Sequence, residues 1–341
     1  MSKILVWLSG GVDSAVSAYL LREQGHEVSC GYMINYLDEE NPTCPTKIDL
    51  EEAKKVAEYL GLPFYTFDYR EEYERRIVDY IYREYEQWHT PNPDVFCNNL
   101  VKFDLFLEEA LSLGFDAIAM GHYARIQDGQ LLKWIDPLKD QSYFLSRLST
   151  FQLSKAIFPI GDLEKSEVRE IAKKAKLPNA DRKDSQGLCF IGKVSMKEFL
   201  QKRFPKQPGN IIDQAGKIVG IHEWAYSYTI GQRKGIEIGG GPALFVIAKD
   251  TVNNTITVGG EVDLDLFSSS CTLTDWVGSD LQEWKIYWAK IRYRQEDQAC
   301  TIKKWDSLLK VSFDQPQRAI ASGQICVIYD GDRVVGSGVM S

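Results

Sequence analysis

Apolar and polar positions run through the first 120 residues in two rhythms. Ile4, Leu5, Val6, Trp7 and Leu8 form an unbroken apolar run, which predicts a buried strand over 3–8. A helical rhythm follows and predicts a helix over 14–24, closed by Gly25 just past its end. A second strand is expected over 27–33 and a third over 64–67. Between them lies a Glu- and Lys-rich helix over 50–60, stopped by Gly61 and Pro63. Residues 71–87 read as a helix whose stripe of Tyr73, Ile77, Tyr80, Ile81 and Tyr85 is a core face. A helix over 101–112 and a short buried strand over 117–120 complete the series. Strands alternating with helices predict a parallel sheet covered on both faces. Ligands then sit at the C-terminal ends of the strands, where Ser9–Ser14, Met33 and Gly121 fall.

From about residue 195 the rhythm changes. Pro208, Gly209, Gly231, Gly235 and Gly239–Gly241 punctuate short segments. Short alternating runs at 245–248, 255–258, 286–291, 310–313 and 325–329 predict a small barrel or sandwich. A chain of 341 residues accommodates two or three such domains.

Composition, at 44 % hydrophobic and 26 % charged residues, is that of a globular chain. The first residues carry no signal-peptide pattern, and no apolar run approaches the ~18 residues that span a bilayer. Neither a membrane partner nor secretion is expected. Seven cysteines form no C-x-x-C pair, which argues against a zinc ribbon or a disulfide scaffold and fits a cytoplasmic location. The net charge of −8 argues against a nucleic-acid partner, but the charge is uneven. Residues 36–86 carry a net −7, residues 192–234 a net +5 and residues 290–304 a net +3. A polyanion responds to the local potential within a Debye length of ~8–10 Å, so two basic patches remain candidate contacts.

The most informative segment is Ser9-Gly10-Gly11-Val12-Asp13-Ser14, set between the first strand and the first helix. A strand, a glycine turn and a helix start aim backbone N–H groups at one point, which suits a phosphate. Asp13, a carboxylate in the first helical turn, reads as a magnesium or amide partner. The Walker A pattern is absent. The segment resembles the pyrophosphate loop of N-type ATP pyrophosphatases, which split ATP into AMP and pyrophosphate while adenylating a carbonyl oxygen.

Further segments extend the pattern. Thr90-Pro-Asn-Pro-Asp-Val-Phe-Cys97 reads as a rigid extended turn presenting Asp94 and Cys97. Asp184-Ser-Gln-Gly-Leu-Cys189 is a second turn, presenting Cys189. Cys30, Cys271, Cys300 and Cys326 read as buried structural thiols; Cys44 stays open. With Lys139-Asp140-Gln141, Gly121-His122-Tyr123, Tyr228–Gly235 and Ile291-Arg292-Tyr293-Arg294, the motifs resemble, in order and over the full length, the tRNA-specific 2-thiouridylase family.

The resemblance implies an α/β N-terminal domain over 1–195, adenine nucleotide alpha-hydrolase-like and holding both cysteines. It also implies a small central α+β domain over 196–257 for tRNA and a C-terminal β-barrel-like domain over 258–341. It implies ATP-dependent adenylation of the 2-carbonyl of the wobble uridine, position 34, in tRNAs for Lys, Glu and Gln, followed by sulfur transfer. On this pattern Cys189 carries a persulfide, Cys97 is the partner nucleophile through a transient disulfide, and Asp94 is the acid–base residue. Trp7, Leu8, Ser9, Gly10, Gly11, Val12, Asp13, Ser14, Met33 and Gly121 would bind ATP, with Mg2+ accompanying it. Asn92, Pro93 and Asp94 would surround the base, and Lys139, Asp140, Gln141, Arg292 and Tyr293 would contact tRNA. The sulfur would come from a cysteine desulfurase or a relay protein. An iron–sulfur cluster held by Asp94, Cys97 and Cys189 is the disfavoured alternative. The chain departs from the family pattern at Trp88-His89, usually Gly-Arg, at Met120, usually threonine, and at Trp224, usually glycine. Competing readings are another ATP-pyrophosphatase ligase, which needs no paired cysteines, and a non-catalytic tRNA-binding or sulfur-carrier protein, which has no use for Ser9–Ser14.

Overall fold

The computed structural model describes residues 1–37, 39, 44–183, 196–236, 238–239 and 241–341. Cys189, with the whole turn 184–195, therefore lies outside the described residues. The described chain forms two compact units. The first comprises Met1–Val78, Asp94–Lys193 and Asp332–Val334, and the second Asp79–Pro93, Val194–Gly331 and Val335–Ser341.

The first unit is built on strands β1 (Lys3–Trp7), β2 (Glu27–Ile34), β3 (Phe64–Asp68) and β4 (Ala117–Ala119). After a hairpin of β5 (Arg125–Gln127) and β6 (Gln130–Leu132) comes β7 (Ala156–Ile157). The order β3-β2-β1-β4-β7 is parallel throughout, as the alternating pattern predicts. Ile4, Leu5 and Val6 of β1 are wholly buried, so both faces of the central strand are covered. The chain leaves β1 towards β2 on one side and reaches β4 on the other. That reversal makes the ends of β1 and β4 the switch-point crevice.

Helix α1 spans Val12–Glu23, and α2 spans Pro45–Leu60, five residues earlier than expected. Pro45 occupies the first turn, where its missing N–H costs nothing, and Cys44, buried, is the N-cap. The helical run 70–86 buries Tyr73, Ile77, Tyr80, Ile81 and Tyr85, the expected core stripe. The next departure matters more. The segment expected as an extended turn around Asp94 and Cys97 is helical from Pro93 onward. It continues through a π-helical stretch at Asn98–Leu105 to Ser112. Proline at a helix start fixes the right φ and loses no hydrogen bond, so the Pro-rich text conceals an N-terminus.

In the second unit, β8 (Gly209–Ile212), β9 (Ile218–His222), β10 (Phe245–Asp250) and β11 (Thr255–Gly259) form a sheet ordered β10-β11-β8-β9. Six further strands follow: β12 (Phe267–Gly278), β13 (Ile286–Lys290), β14 (Gln298–Trp305), β15 (Leu308–Arg318), β16 (Ile325–Asp330) and β17 (Arg333–Met340). They run β12-β15-β14-β13-β16-β17, and pairing of β12 with β17 closes an antiparallel barrel. Closure removes the free edges that a sandwich would expose. Cys271, Cys300 and Cys326 lie inside it. Burial pushes the thiols of Cys300 and Cys30 up to about 12, as structural cysteines require.

Trp88 adopts φ +60, a left-handed conformation costly for a bulky residue. Its carbonyl and that of Tyr228 (3.0 Å) both accept from the Lys249 ammonium. Burial lowers the Lys249 pKa from 10.5 to about 8. Between these values the unfolded chain holds a proton that the folded chain has lost, so stability rises with pH. Denaturant unfolding should therefore show native protein gaining stability relative to Lys249→Met from pH 8 to 10.5. A pH-independent difference would contradict the assignment.

Candidate active site

The loop Ser9–Ser14 joins β1 to α1 and is held by its own hydroxyls. The Ser9 N–H donates to Ser14 Oγ (3.1 Å), Ser14 Oγ donates to the Gly11 carbonyl (3.0 Å), and the two hydroxyls lie 3.2 Å apart. Gly10 has φ +79, and a Cβ there would lie 2.6 Å from the Asp49 carbonyl oxygen. Its own carbonyl accepts from Asn179 Nδ2 (2.9 Å) and Arg182 Nη1 (3.0 Å), while Arg182 also pairs with Asp49. Both lines of restraint fix the loop in one shape.

Gly121, just past β4, completes the crevice. A Cβ on it would lie 2.7 Å from the Ser14 nitrogen and 2.8 Å from the Asp13 carbonyl carbon. Only glycine lets the chain beyond β4 approach the first turn of α1 so closely. Met33 is buried near the end of β2, in register with Phe67. Leu8 is buried and its N–H donates to Gly31. Val12 is buried in the first turn of α1.

Asp13 is engaged differently from the sequence expectation. The Lys165 ammonium donates to both its oxygens (2.7 and 2.9 Å), and the Tyr123 hydroxyl donates to Oδ1 (2.7 Å). A metal ion on Asp13 would have to displace Lys165, so this carboxylate does not fit as a ready magnesium ligand. Lys165 carries no motif of its own, and the sequence assigns no role to Tyr123, part of the Gly121-His122-Tyr123 segment; the fold brings both to the loop.

Asp94 and Cys97 lie in the short helix Pro93–Cys97 that opens the run to Ser112. Cys97 is only 4 % exposed, contrary to the exposed loop thiol expected from sequence. Burial raises the Asp94 pKa above the usual 3.8, and the Lys102 ammonium opposes that rise. His122 packs tilted against Phe103 and edge-on to Phe158, with centroids 5.9 and 5.8 Å away. Burial, reinforced by Lys102, holds it well below the usual 6.5 and therefore neutral. The Lys102 ammonium lies 4.6 Å from the centroid of the Trp7 ring. Lys102 thus links Asp94, His122 and the entry to the phosphate loop, and no sequence signal marked it.

The residues expected at tRNA divide by environment. Lys139 is exposed. Asp140 is buried, and it accepts from the Trp134 N–H (2.9 Å), the Ser142 N–H (3.0 Å) and the Ser142 hydroxyl (2.8 Å). Gln141 Oε1 accepts from the Tyr123 N–H (2.8 Å). Asp140 and Gln141 therefore shape the loop behind Tyr123. In the second unit, Gln324 donates to the carbonyls of Thr90 (2.9 Å) and Pro91 (3.0 Å). The Asn92 N–H donates to the Tyr80 hydroxyl (3.4 Å), so the stretch leading to Pro93 is tied down. Arg292 is exposed and donates to the Arg318 carbonyl (3.1 Å); Arg294 lies over the Tyr293 ring.

A parallel sheet with a serine- and glycine-lined loop at its switch point, followed by two β modules, defines a nucleotide-binding α/β enzyme with appended barrels. Family models agree segment by segment. A tRNA methyl transferase HUP domain matches residues 2–193, a tRNA methyl transferase PRC-barrel domain matches 197–260, and an aminomethyltransferase beta-barrel domain matches 270–340. Relatives match over nearly the whole length. The tRNA-specific 2-thiouridylase of Christiangramia forsetii is 44 % identical and covers 100 % of both chains. That of Shouchella clausii is 45 % identical over 99 % of this chain and 96 % of its own. That of Bacillus subtilis is 43 % identical over 99 % and 95 %. The chain belongs to the tRNA-specific 2-thiouridylase family.

Proposed function

We propose that the protein is a tRNA 2-thiouridylase that activates the 2-carbonyl of the wobble uridine with ATP and replaces its oxygen by sulfur. The observation that carries this reading is the Ser9–Ser14 loop packed against Gly121, in a chain of this family whose helix Pro93–Cys97 carries Asp94 and a buried Cys97. The loop and the start of α1 receive the phosphates of ATP, taken up as its magnesium complex. The uridine oxygen attacks the α-phosphate, and pyrophosphate leaves. A urea-like carbonyl is a poor electrophile; adenylation converts its oxygen into a phosphate leaving group.

A persulfide on Cys189 then attacks C2, and AMP departs with the oxygen and its bonding electrons. The Cys97 thiolate attacks the Cys189 sulfur, which leaves the transferred sulfur on the base and a Cys97–Cys189 disulfide. The sulfane sulfur is reduced as the two cysteines are oxidised, and an external thiol resets the pair. Asn92, Pro93 and Asp94 surround the base, and Lys139, Arg292 and Tyr293 meet the tRNA. The domains follow the divisions 1–195, 196–257 and 258–341. The sulfur donor is a cysteine desulfurase or relay protein, and the substrates are tRNAs for Lys, Glu and Gln. Cluster chemistry would need Cys97, Asp94 and Cys189 together, and no step here runs through it.

Incubation of purified protein with unmodified tRNA, ATP and a persulfide donor should give 2-thiouridine in hydrolysed tRNA by mass spectrometry. Its absence with a competent donor would refute the proposal. Asp94 adds a pH signature. Acting as a base, it works only when ionised, so activity should fall as pH drops through a value above 3.8. Asp94→Asn should remove this acid limb from the rate profile; an unchanged limb would exclude Asp94.

A further inference from the structure

Lys102 is 7 % exposed, which is rare for a lysine without a carboxylate bonded to it. Among the described residues its ammonium has no hydrogen-bond acceptor; its neighbours are the Trp7 ring, Asp94 and His122. Burying a cation is costly unless something compensates it. An aromatic face at 4.6 Å compensates in part and leaves three donors unused.

The backbone explains how the lysine arrives there. Asn98–Leu105 is π-helical, and the Phe106 N–H reaches back to the Val101 carbonyl, five residues away. In an α-helix, residues five apart lie on different faces. A π turn brings position i+5 closer to the face of position i than an α turn does, and Lys102 lies within that stretch. Two buried polar atoms without a partner, His122 Nδ1 and Trp7 Nε1, belong to the residues around it. Donors poised and unused, beside the loop that takes ATP and the helix that carries Cys97, suit an anionic guest rather than a structural bond.

We propose that Lys102 is a catalytic residue that donates a hydrogen bond to the oxygen linking uridine C2 to the α-phosphate of the adenylated base. This rests on the thiolation reading above and goes beyond it by naming the group that stabilises the leaving oxygen. As sulfur bonds to C2, the C2–O bond breaks and its electron pair moves onto that oxygen. AMP leaves with the developed charge, and the lysine keeps its proton throughout. Preorganised donors of this kind contribute about 100- to 1000-fold to rate.

Single-turnover thiolation with ATP, unmodified tRNA and a persulfide donor tests the assignment in native protein, Lys102→Met, Lys102→Gln and Lys102→Arg. Lys102→Met and Lys102→Gln should lose about 100-fold in the thiolation rate, with apparent affinities for ATP and tRNA within about twofold. Lys102→Arg should run at least about tenfold faster than Lys102→Met. In Lys102→Met the acid limb assigned to Asp94 should also move to higher pH, since the opposing cation is gone. A folded neutral variant within about threefold of the native rate, a loss confined to ATP or tRNA affinity, or failure of both neutral variants to fold would overturn the role. Native protein that forms no 2-thiouridine would instead overturn the thiolation reading itself.

Discussion

Cys97→Ser should lose thiolation by at least about 1000-fold while binding ATP within about twofold of the native protein. The serine hydroxyl has nearly the shape of the thiol, and the site is well packed at 4 % exposure, so the helix from Pro93 should persist. What disappears is a nucleophile able to cleave a sulfur–sulfur bond, because a neutral hydroxyl cannot take part in thiol–disulfide exchange. The Ser9–Ser14 loop is held by its own hydroxyls and by Asn179 and Arg182, none of which the substitution touches. Nucleotide binding by calorimetry and thiolation by mass spectrometry, on the same preparation, separate the two halves of the site. Retained thiolation would remove Cys97 from the chemistry. Lost ATP binding would show that the two halves are not independent.

Gly121→Ala should do the reverse, weakening ATP without touching sulfur chemistry. The added Cβ meets backbone, at 2.7 Å from the Ser14 nitrogen, and backbone cannot swing aside as a side chain can. Either the end of β4 or the start of α1 must move. Overpacking of this kind costs about 1–3 kcal/mol. Since about 1.4 kcal/mol is tenfold, the ATP KM should rise roughly 5- to 140-fold if that cost falls on the nucleotide site. The affinity for tRNA should stay within about twofold. Gly260→Ala, placed where a Cβ meets nothing within 4 Å, is the control and should leave KM unchanged. An unaltered KM in Gly121→Ala would mean that the crevice between β1 and β4 is not where ATP binds.

Strands β1, β2 and β4 were legible because each is a largely buried apolar run, whereas β7, two residues long, was not legible at all. The phosphate loop was legible because glycines and hydroxyls at a strand end have a local geometric reason. Helix starts at Pro45 and Pro93 were not, since proline reads equally as a turn or as a first helical residue. That ambiguity misplaced Asp94 and Cys97 on an extended turn, where a buried helical thiol is found. The roles of Tyr123, Lys165 and Lys102 left no trace in the sequence for a different reason. Those roles depend on contacts across 110 residues, across 152 residues, and between a helix and an aromatic ring on β1. Asp140 shows the opposite error: a charged residue in a charged stretch suggested a surface contact, yet its carboxylate is spent on local N–H and hydroxyl donors.

The central claim is that ATP is split at its α-phosphate by the oxygen of the base. The direct test uses tRNA carrying 18O at C2 of the wobble uridine, with ATP and a persulfide donor, and mass spectrometry of the released nucleotide. The account predicts AMP bearing one 18O for each 2-thiouridine formed, together with unlabelled pyrophosphate. Release of ADP, or of AMP without the label while thiolation proceeds, would contradict it.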